Sequence, residues 1–311
     1  MHDLPRLAFA FAIAAACGFA QAKVVTKSIA YEQGGQKLEG YLAYDDAKSG
    51  ARPGVLVVPE WWGLNDYVKS RARQLAEMGY AAFAADMYGD AKVTRDPKQA
   101  QEWSSAVGNG GLMAPRSKAA LEVLKEQPQT DKSKLAAIGF CFGGSTVLQL
   151  AYSGEPLAAT VTFHGGLMAP KEEQLSQIKS PILILHGAED GFVKPETMDQ
   201  VRTSLDKAKV DWYMVTYANA VHASLESRRQ QLQDPRHRLQ REGGAPLLGR
   251  DAGLLQGAVQ ALEVGGFPRL TGELEDMQAG VGAVHDVDVA AARPRPRCWS
   301  GSRPCTAPCV T

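Results

Sequence analysis

The stretch Leu135–Ser145, LAAIGFCFGGS, decides how the chain is read. Leu135–Phe140 is a short continuous apolar run, as expected of a strand buried on both faces. A helical pattern from Gly144 to about Tyr152 follows at once. The change of direction falls within Gly139-Phe140-Cys141-Phe142-Gly143-Gly144, which has the spacing of a G-x-S-x-G elbow with cysteine at its centre. So sharp a strand-to-helix turn strains the central residue, and neighbours without side chains let strand and helix approach. Sulfur would stand above the sheet edge, beside a helix N-terminus that favours thiolate. Taken by itself, the same stretch also fits a cysteine buried in a core.

Outward from this turn, strands and helices alternate. Val24–Tyr31 and Lys37–Ala43 alternate apolar and polar residues across Gly34-Gly35, an opening hairpin. Gly54–Pro59, Ala81–Ala85, Leu157–Phe163, Pro181–His186 and Asp211–Tyr217 read as further strands. Tyr67–Met78 has helical spacing and stops at Gly79, and Ser117–Leu124 and Pro195–Ala208 are helical. The alternation predicts an α/β fold with a mostly parallel central sheet and helices on both faces.

At the carboxyl ends of two later strands stand an acid and a histidine. Asp190 lies in HGAEDGFVKPE, and His222 in YANAVHA. The order nucleophile, acid, histidine is that of the α/β-hydrolase fold, and this sheet edge is where sites assemble. Glu189 competes with Asp190 as the acid. His164 and His186 compete with His222 as the base, His164 also as a residue lining the cleft. No histidine pair has i, i+4 spacing or a zinc-type carboxylate partner, so no metal and no cofactor is expected.

Five separate segments then resemble one family. PEWWGLND at Pro59–Asp66, ADMYG at Ala85–Gly89, GFCFGG at Gly139–Gly144, HGAEDGFV at His186–Val193 and the final His222 together resemble the dienelactone hydrolases, over about Val24 to His222. The resemblance implies a Cys-Asp-His triad of Cys141, Asp190 and His222. It also implies that Glu60 pairs with the resting thiol. The oxyanion donors would be the backbone N–H groups of Trp61 and Phe142. Trp61, Trp62 and Tyr88 would wall the pocket, with His164 beside it. The expected reaction is hydrolysis of a small ester or lactone, as by a carboxylesterase, through a thioester on Cys141. Dienelactone itself is not implied. Gly89-Asp90-Ala91-Lys92 holds no arginine where the family enzyme binds its substrate's carboxylate, and the second such arginine would fall in the C-terminal tail.

Composition and the chain ends bound this reading. In 311 residues, 34 basic and 34 acidic side chains cancel, which gives no reason to expect a nucleic acid or an anionic membrane as partner. Residues 1–22 read as a signal peptide: Arg6, an apolar run from Leu7 to Cys17, and a small-x-small site at Ala20-Gln21-Ala22. Acylation of Cys17 is the rival reading. Neither spans a bilayer, and the run is too short to do so. An exported, periplasmic protein is expected, and a monomer is the working assumption for its assembly. Of the five cysteines only Cys141 lies between Lys23 and His222, so that domain has no internal disulfide.

Beyond His222 the chain changes character. No lysine follows Lys209, and residues 223–311 lack isoleucine, tyrosine and asparagine while remaining rich in arginine, proline and glycine. This tail reads as a disordered, low-complexity extension. It also fits out-of-frame translation. Leu247–Gly257, LLGRDAGLLQG, in one choice of codons and read from the second base, becomes SWAGMQAFFK, an amphipathic helix with aromatic anchors. On that reading the closing helix of the fold is lost. The alternative function is then a non-catalytic or inactive protein of hydrolase fold.

Overall fold

The computed structural model describes residues 24–218, 220–222 and 287–291. The expected signal peptide, and the expected tail apart from Val287–Ala291, lie outside the described residues.

Strands β1 (Val24–Gln33) and β2 (Gln36–Asp45) form the antiparallel hairpin. Gly34 and Gly35 close it at φ 59° and 80°, the left-handed pair that a two-residue hairpin turn requires. β2 then pairs antiparallel with β4 (Ala81–Ala84). Next come β3 (Arg52–Val58), β5 (Thr130–Phe140), β6 (Ala159–Phe163), β7 (Ile182–Gly187) and β8 (Trp212–Tyr217). From β4 through β8 every pairing is parallel. β9 (Val287–Ala291) runs antiparallel along β8. The sheet order is β1-β2-β4-β3-β5-β6-β7-β8-β9, so the crossover from β3 to β4 and back sets β3 beside β5 at the centre.

Helix α1 (Asp66–Met78) starts where the Asn65 side chain accepts the Val68 N–H at 3.2 Å. It ends at Gly79, φ 105°, whose N–H caps the last turn. Its stripe of Val68, Ala72, Leu75 and Ala76 packs on Val55, Val57 and Ile138. The opposite sheet face carries α3 (Met113–Lys125), α4 (Phe142–Tyr152) and α5 (Pro195–Ala208). There Leu121, Leu124, Val147 and Leu150 meet Leu56 and Val58, while Val201 and Leu205 meet Ile182 and Ile184. The expected two-faced cover is therefore present. No helix among the described residues is long and apolar enough to cross a membrane.

Three local expectations change. α2 (Pro97–Asn109) was not anticipated, although Asp96 caps it and Pro97 opens it. α3 begins at Met113 rather than Ser117, and β5 begins at Thr130 rather than Leu135. The early part of β5 pairs with β3 beyond an irregularity at Pro53/Gly54, where polar residues leave no apolar pattern to read.

Candidate active site

The elbow forms where β5 runs into α4. Cys141 sits at φ 52° and ψ −115°, a conformation rare for any residue with a Cβ. Two backbone bonds hold it. Its N–H donates to the Phe163 carbonyl at 3.0 Å, and its carbonyl accepts the Ser145 N–H at 3.2 Å. The flanking glycines are obligatory on steric grounds. A Cβ on Gly139 would lie 2.1 Å from the Gly143 oxygen, and one on Gly143 would lie 2.2 Å from the Val58 oxygen. The Cys141 sulfur is in no disulfide and is half-buried.

Two further loops close on it. After β7, the Asp190 side chain is completely buried; its Oδ1 accepts the Phe192 N–H at 3.0 Å. After β8, His222 places Nδ1 2.8 Å from Asp190 Oδ2 and Nε2 3.1 Å from Cys141 Sγ. The loops are tied together: the Ala188 N–H donates to Tyr217 O and the Glu189 N–H to Ala220 O, both at 2.9 Å. Asp190 rather than its competitor Glu189 meets the imidazole, and Glu189 is exposed. A linear array of sulfur, imidazole and carboxylate results. It can pass a proton from thiol to ring while the carboxylate steadies the charged ring.

The rival histidines fall in different places. His164, φ 41°, follows β6 and is buried. Its ring meets that of His222 edge-on at 5.1 Å between centroids. His186 is 1% exposed, and its Nε2 lies 3.8 Å from Asp190 Oδ2, beyond hydrogen-bonding distance. Burial pushes its pKa below the ordinary imidazole value; the Asp190 carboxylate opposes that shift and His222 adds to it. His186, with the neutral ring favoured, therefore packs beside the acid.

The walls follow from the loops after β3 and β4. Glu60 is buried just past β3, and its carbonyl accepts the Gly63 N–H at 3.3 Å. Gly143 packs on Val58 and Pro59, so Glu60 and Trp61 follow directly from the segment the elbow rests on. The Tyr88 hydroxyl donates to the Trp61 carbonyl at 3.0 Å. The Tyr88 ring stands 5.9 Å from that of Phe142. Burial, then the charge of Cys141, push the Tyr88 phenol pKa well up, which keeps it a neutral donor. Trp62 joins through Trp61, their rings meeting edge-on at 5.1 Å.

Sequence reasoning missed three contributors. Asp86 is fully buried; Oδ1 accepts the N–H groups of Tyr88 and Gly89, and Oδ2 those of Glu39 and Ala91. It thereby fixes the loop that carries Tyr88. Trp103, on the unanticipated α2, stands 5.5 Å from the Tyr88 ring. Phe192, 78% exposed, meets the His222 ring at 4.7 Å. The signal for Asp86 was its place in ADMYG, at the end of a buried strand.

The sequence profile of the dienelactone hydrolase family matches residues 38–241. "Protein usf" of Aquifex pyrophilus is 30% identical over 215 residues, which is 67% of this chain and 90% of that protein. A Saccharolobus solfataricus protein named "Putative carboxymethylenebutenolidase" is 29% identical over 236 residues, covering 65% of this chain and 90% of its own length. Among solved structures, a dienelactone hydrolase-like promiscuous phosphotriesterase from metagenomic libraries superposes with a TM-score of 0.65 at 38% identity. That match covers 76% of this chain and 98% of the other. The fold is thus the α/β-hydrolase fold anticipated from the elbow and the strand pattern.

Proposed function

The chain belongs to the dienelactone hydrolase family, a family of hydrolases, and from that premise we propose that it cleaves esters or lactones of small carbonyl compounds through a thioester on Cys141. One observation carries the reading: the continuous contact from Sγ to Nε2 at 3.1 Å and from Nδ1 to Oδ2 at 2.8 Å. His222 takes the thiol proton, and sulfur bonds to the substrate carbonyl carbon. The N–H groups of Trp61 and Phe142 receive the oxyanion. The carbon–oxygen bond to the leaving group then breaks, and the proton on Nε2 passes to the departing alkoxide. Water, deprotonated by His222, attacks the thioester. The carbon–sulfur bond breaks, the acid leaves, and sulfur regains its proton. Asp190 holds the ring in the tautomer this needs.

Glu60 is the reserve base that holds the resting thiol. Trp62, Tyr88 and His164 shape the substrate side. The segment before Lys23 directs export to the periplasm, which N-terminal sequencing of the mature protein tests. Mass spectrometry during p-nitrophenyl acetate turnover tests the mechanism. An acetyl group on Cys141 and loss of turnover in Cys141→Ala are expected. Full turnover in Cys141→Ala would overturn the reading.

Phosphotriesters are a second candidate class, favoured by the 38% identity to the promiscuous phosphotriesterase. The same sulfur would attack phosphorus, and paraoxon turnover dependent on Cys141 is the check.

A further inference from the structure

The ligand-bearing atoms of Cys141, His164 and His222 lie within 4.8 Å of one another. They come from the loops after β5, β6 and β8, which is why no spacing pattern in the sequence announced them. We propose that these three side chains form a thiolate–bis-imidazole site for a borderline-soft divalent cation of the zinc type, and that the bound cation shuts the hydrolase off.

The donor chemistry selects the ion. One sulfur and two imidazole nitrogens suit zinc, whose tetrahedral preference leaves a fourth position for water. Magnesium and calcium need oxygen donors. The nearby carboxylate, Asp190, already has both oxygens engaged, by Phe192 N–H and by His222. Its bond to Nδ1 leaves Nε2 aimed at the sulfur. A carboxylate behind a histidine is the outer-sphere arrangement that orients metal-bound imidazoles.

The backbone holds two of the three donors in advance of any ion. Cys141 N–H donates to Phe163 O, and His164 N–H donates to Leu185 O at 2.8 Å, so both loops prolong the parallel ladder. A Cβ on Gly165 would lie 2.3 Å from Thr162 Oγ1 and 2.9 Å from the Gly144 carbonyl carbon, so the turn after His164 presses directly on α4. Cys141 and His164 both have positive φ, and such strain persists only where the surroundings over-determine it. Cys141 and His222 are half-buried and His164 is buried, so the cluster is largely shielded yet still reached by solvent.

Binding replaces the thiol proton: the S–H bond breaks, sulfur bonds to the metal, and a proton goes to solvent. The nucleophile and the base are then occupied together. That inhibition rests on the roles proposed for Cys141 and His222, whereas the binding itself rests on geometry alone.

The test uses the full chain freed of metal and titrated with Co2+ as a spectroscopic stand-in, then with Zn2+ by calorimetry. A thiolate-to-cobalt charge-transfer band is expected. It should vanish in Cys141→Ser, and zinc affinity should fall by at least about 100-fold in Cys141→Ser and in His164→Gln. Circular dichroism of each variant establishes that it is folded. Zinc should also stop p-nitrophenyl acetate hydrolysis, with recovery on chelation. Cys298, Cys305 and Cys309 also lie in the chain. A band that persists in folded Cys141→Ser would therefore place the metal elsewhere and overturn the site. Unchanged zinc affinity in folded His164→Gln would do the same. Tight binding that needs Cys141 and His164 but leaves hydrolysis intact would overturn the inhibition and count against the mechanism, not against the site.

Discussion

Replacing Gly143 by alanine adds one methyl group, and the structure gives its cost. Local propensity favours the change, because alanine in a helix is better than glycine by about 1 kcal/mol. Tertiary contact opposes it. The new Cβ would stand 2.2 Å from the Val58 oxygen and 2.5 Å from the Pro59 oxygen. Ordinary contact is about 3.5 Å, so α4 must retreat from β3 by roughly 1 Å. Both obstructing atoms are backbone and cannot swing aside. Overpacking of this kind costs up to about 3 kcal/mol, so the net loss is about 2 kcal/mol. The same retreat carries Cys141 Sγ and the Phe142 N–H away from the loop that holds Trp61. A displacement of about 1 Å at a reacting centre costs on the order of 100-fold in rate. Urea unfolding and p-nitrophenyl acetate turnover measure the two effects. Gly191→Ala is the control: it lies in the Asp190 loop with nothing within 4 Å of its added Cβ, and should change neither quantity. A Gly143→Ala protein as stable and as active as the parent would refute the close packing of the elbow on β3.

Asp190→Asn keeps the shape of the array but leaves His222 in the wrong tautomer, so kcat should drop by about 10^3 to 10^4; a loss under tenfold would remove the acid from its role. Burial holds the His186 pKa down in the folded protein, whereas in the unfolded chain it returns to about 6.5. Above that pH nothing is lost. Below it the unfolded state gains a proton the native state lacks, and stability falls by at most about 1.4 kcal/mol per pH unit until the native ring protonates too. His186→Leu should flatten this slope in urea midpoints taken between about pH 5 and 7.5, and an unaltered slope would contradict the burial argument. Asn65→Ala removes the side-chain cap of α1 and should cost about 1 kcal/mol in the same urea assay, with turnover little changed.

Much of the fold was legible because the parallel core is written in apolar runs. Val55–Val58 are fully buried, and such strands announce themselves by composition alone. The site was legible where its backbone is extreme. Gly139 and Gly143 must lack a Cβ, and that necessity shows as a motif. What stayed illegible is whatever depends on distance through space. The partnership of Cys141 with His222, 81 positions away, was implied by motif order and resemblance, but the 3.1 Å from Nε2 to sulfur is set only by the fold. The choice of Asp190 over Glu189 needed the loop's turn, which buries one carboxylate and exposes the other. Phe192 against His222, and Trp103 against Tyr88, carry no pattern at all. α2 was missed although its Asp96-Pro97 start was in view, because only Ala100 and Val107 of its thirteen residues are buried and the apolar period is weak.

The strain at the sheet edge explains why those legible and illegible parts belong together. Cys141 and His164 each hold a conformation that costs about 1–3 kcal/mol. Neither residue can relax alone, since its N–H is bonded to the neighbouring strand, at Phe163 for the one and Leu185 for the other. The ladder of β5, β6 and β7 therefore bears the strain, and the buried side chains of that ladder keep it from opening. A cavity cut beneath it, as by Ile138→Ala, would cost more than packing: it would free the strained turns to relax. Activity should then fall at denaturant concentrations where the sheet is still intact. If the loss of turnover instead tracked global unfolding, the strain would not be stored in the ladder.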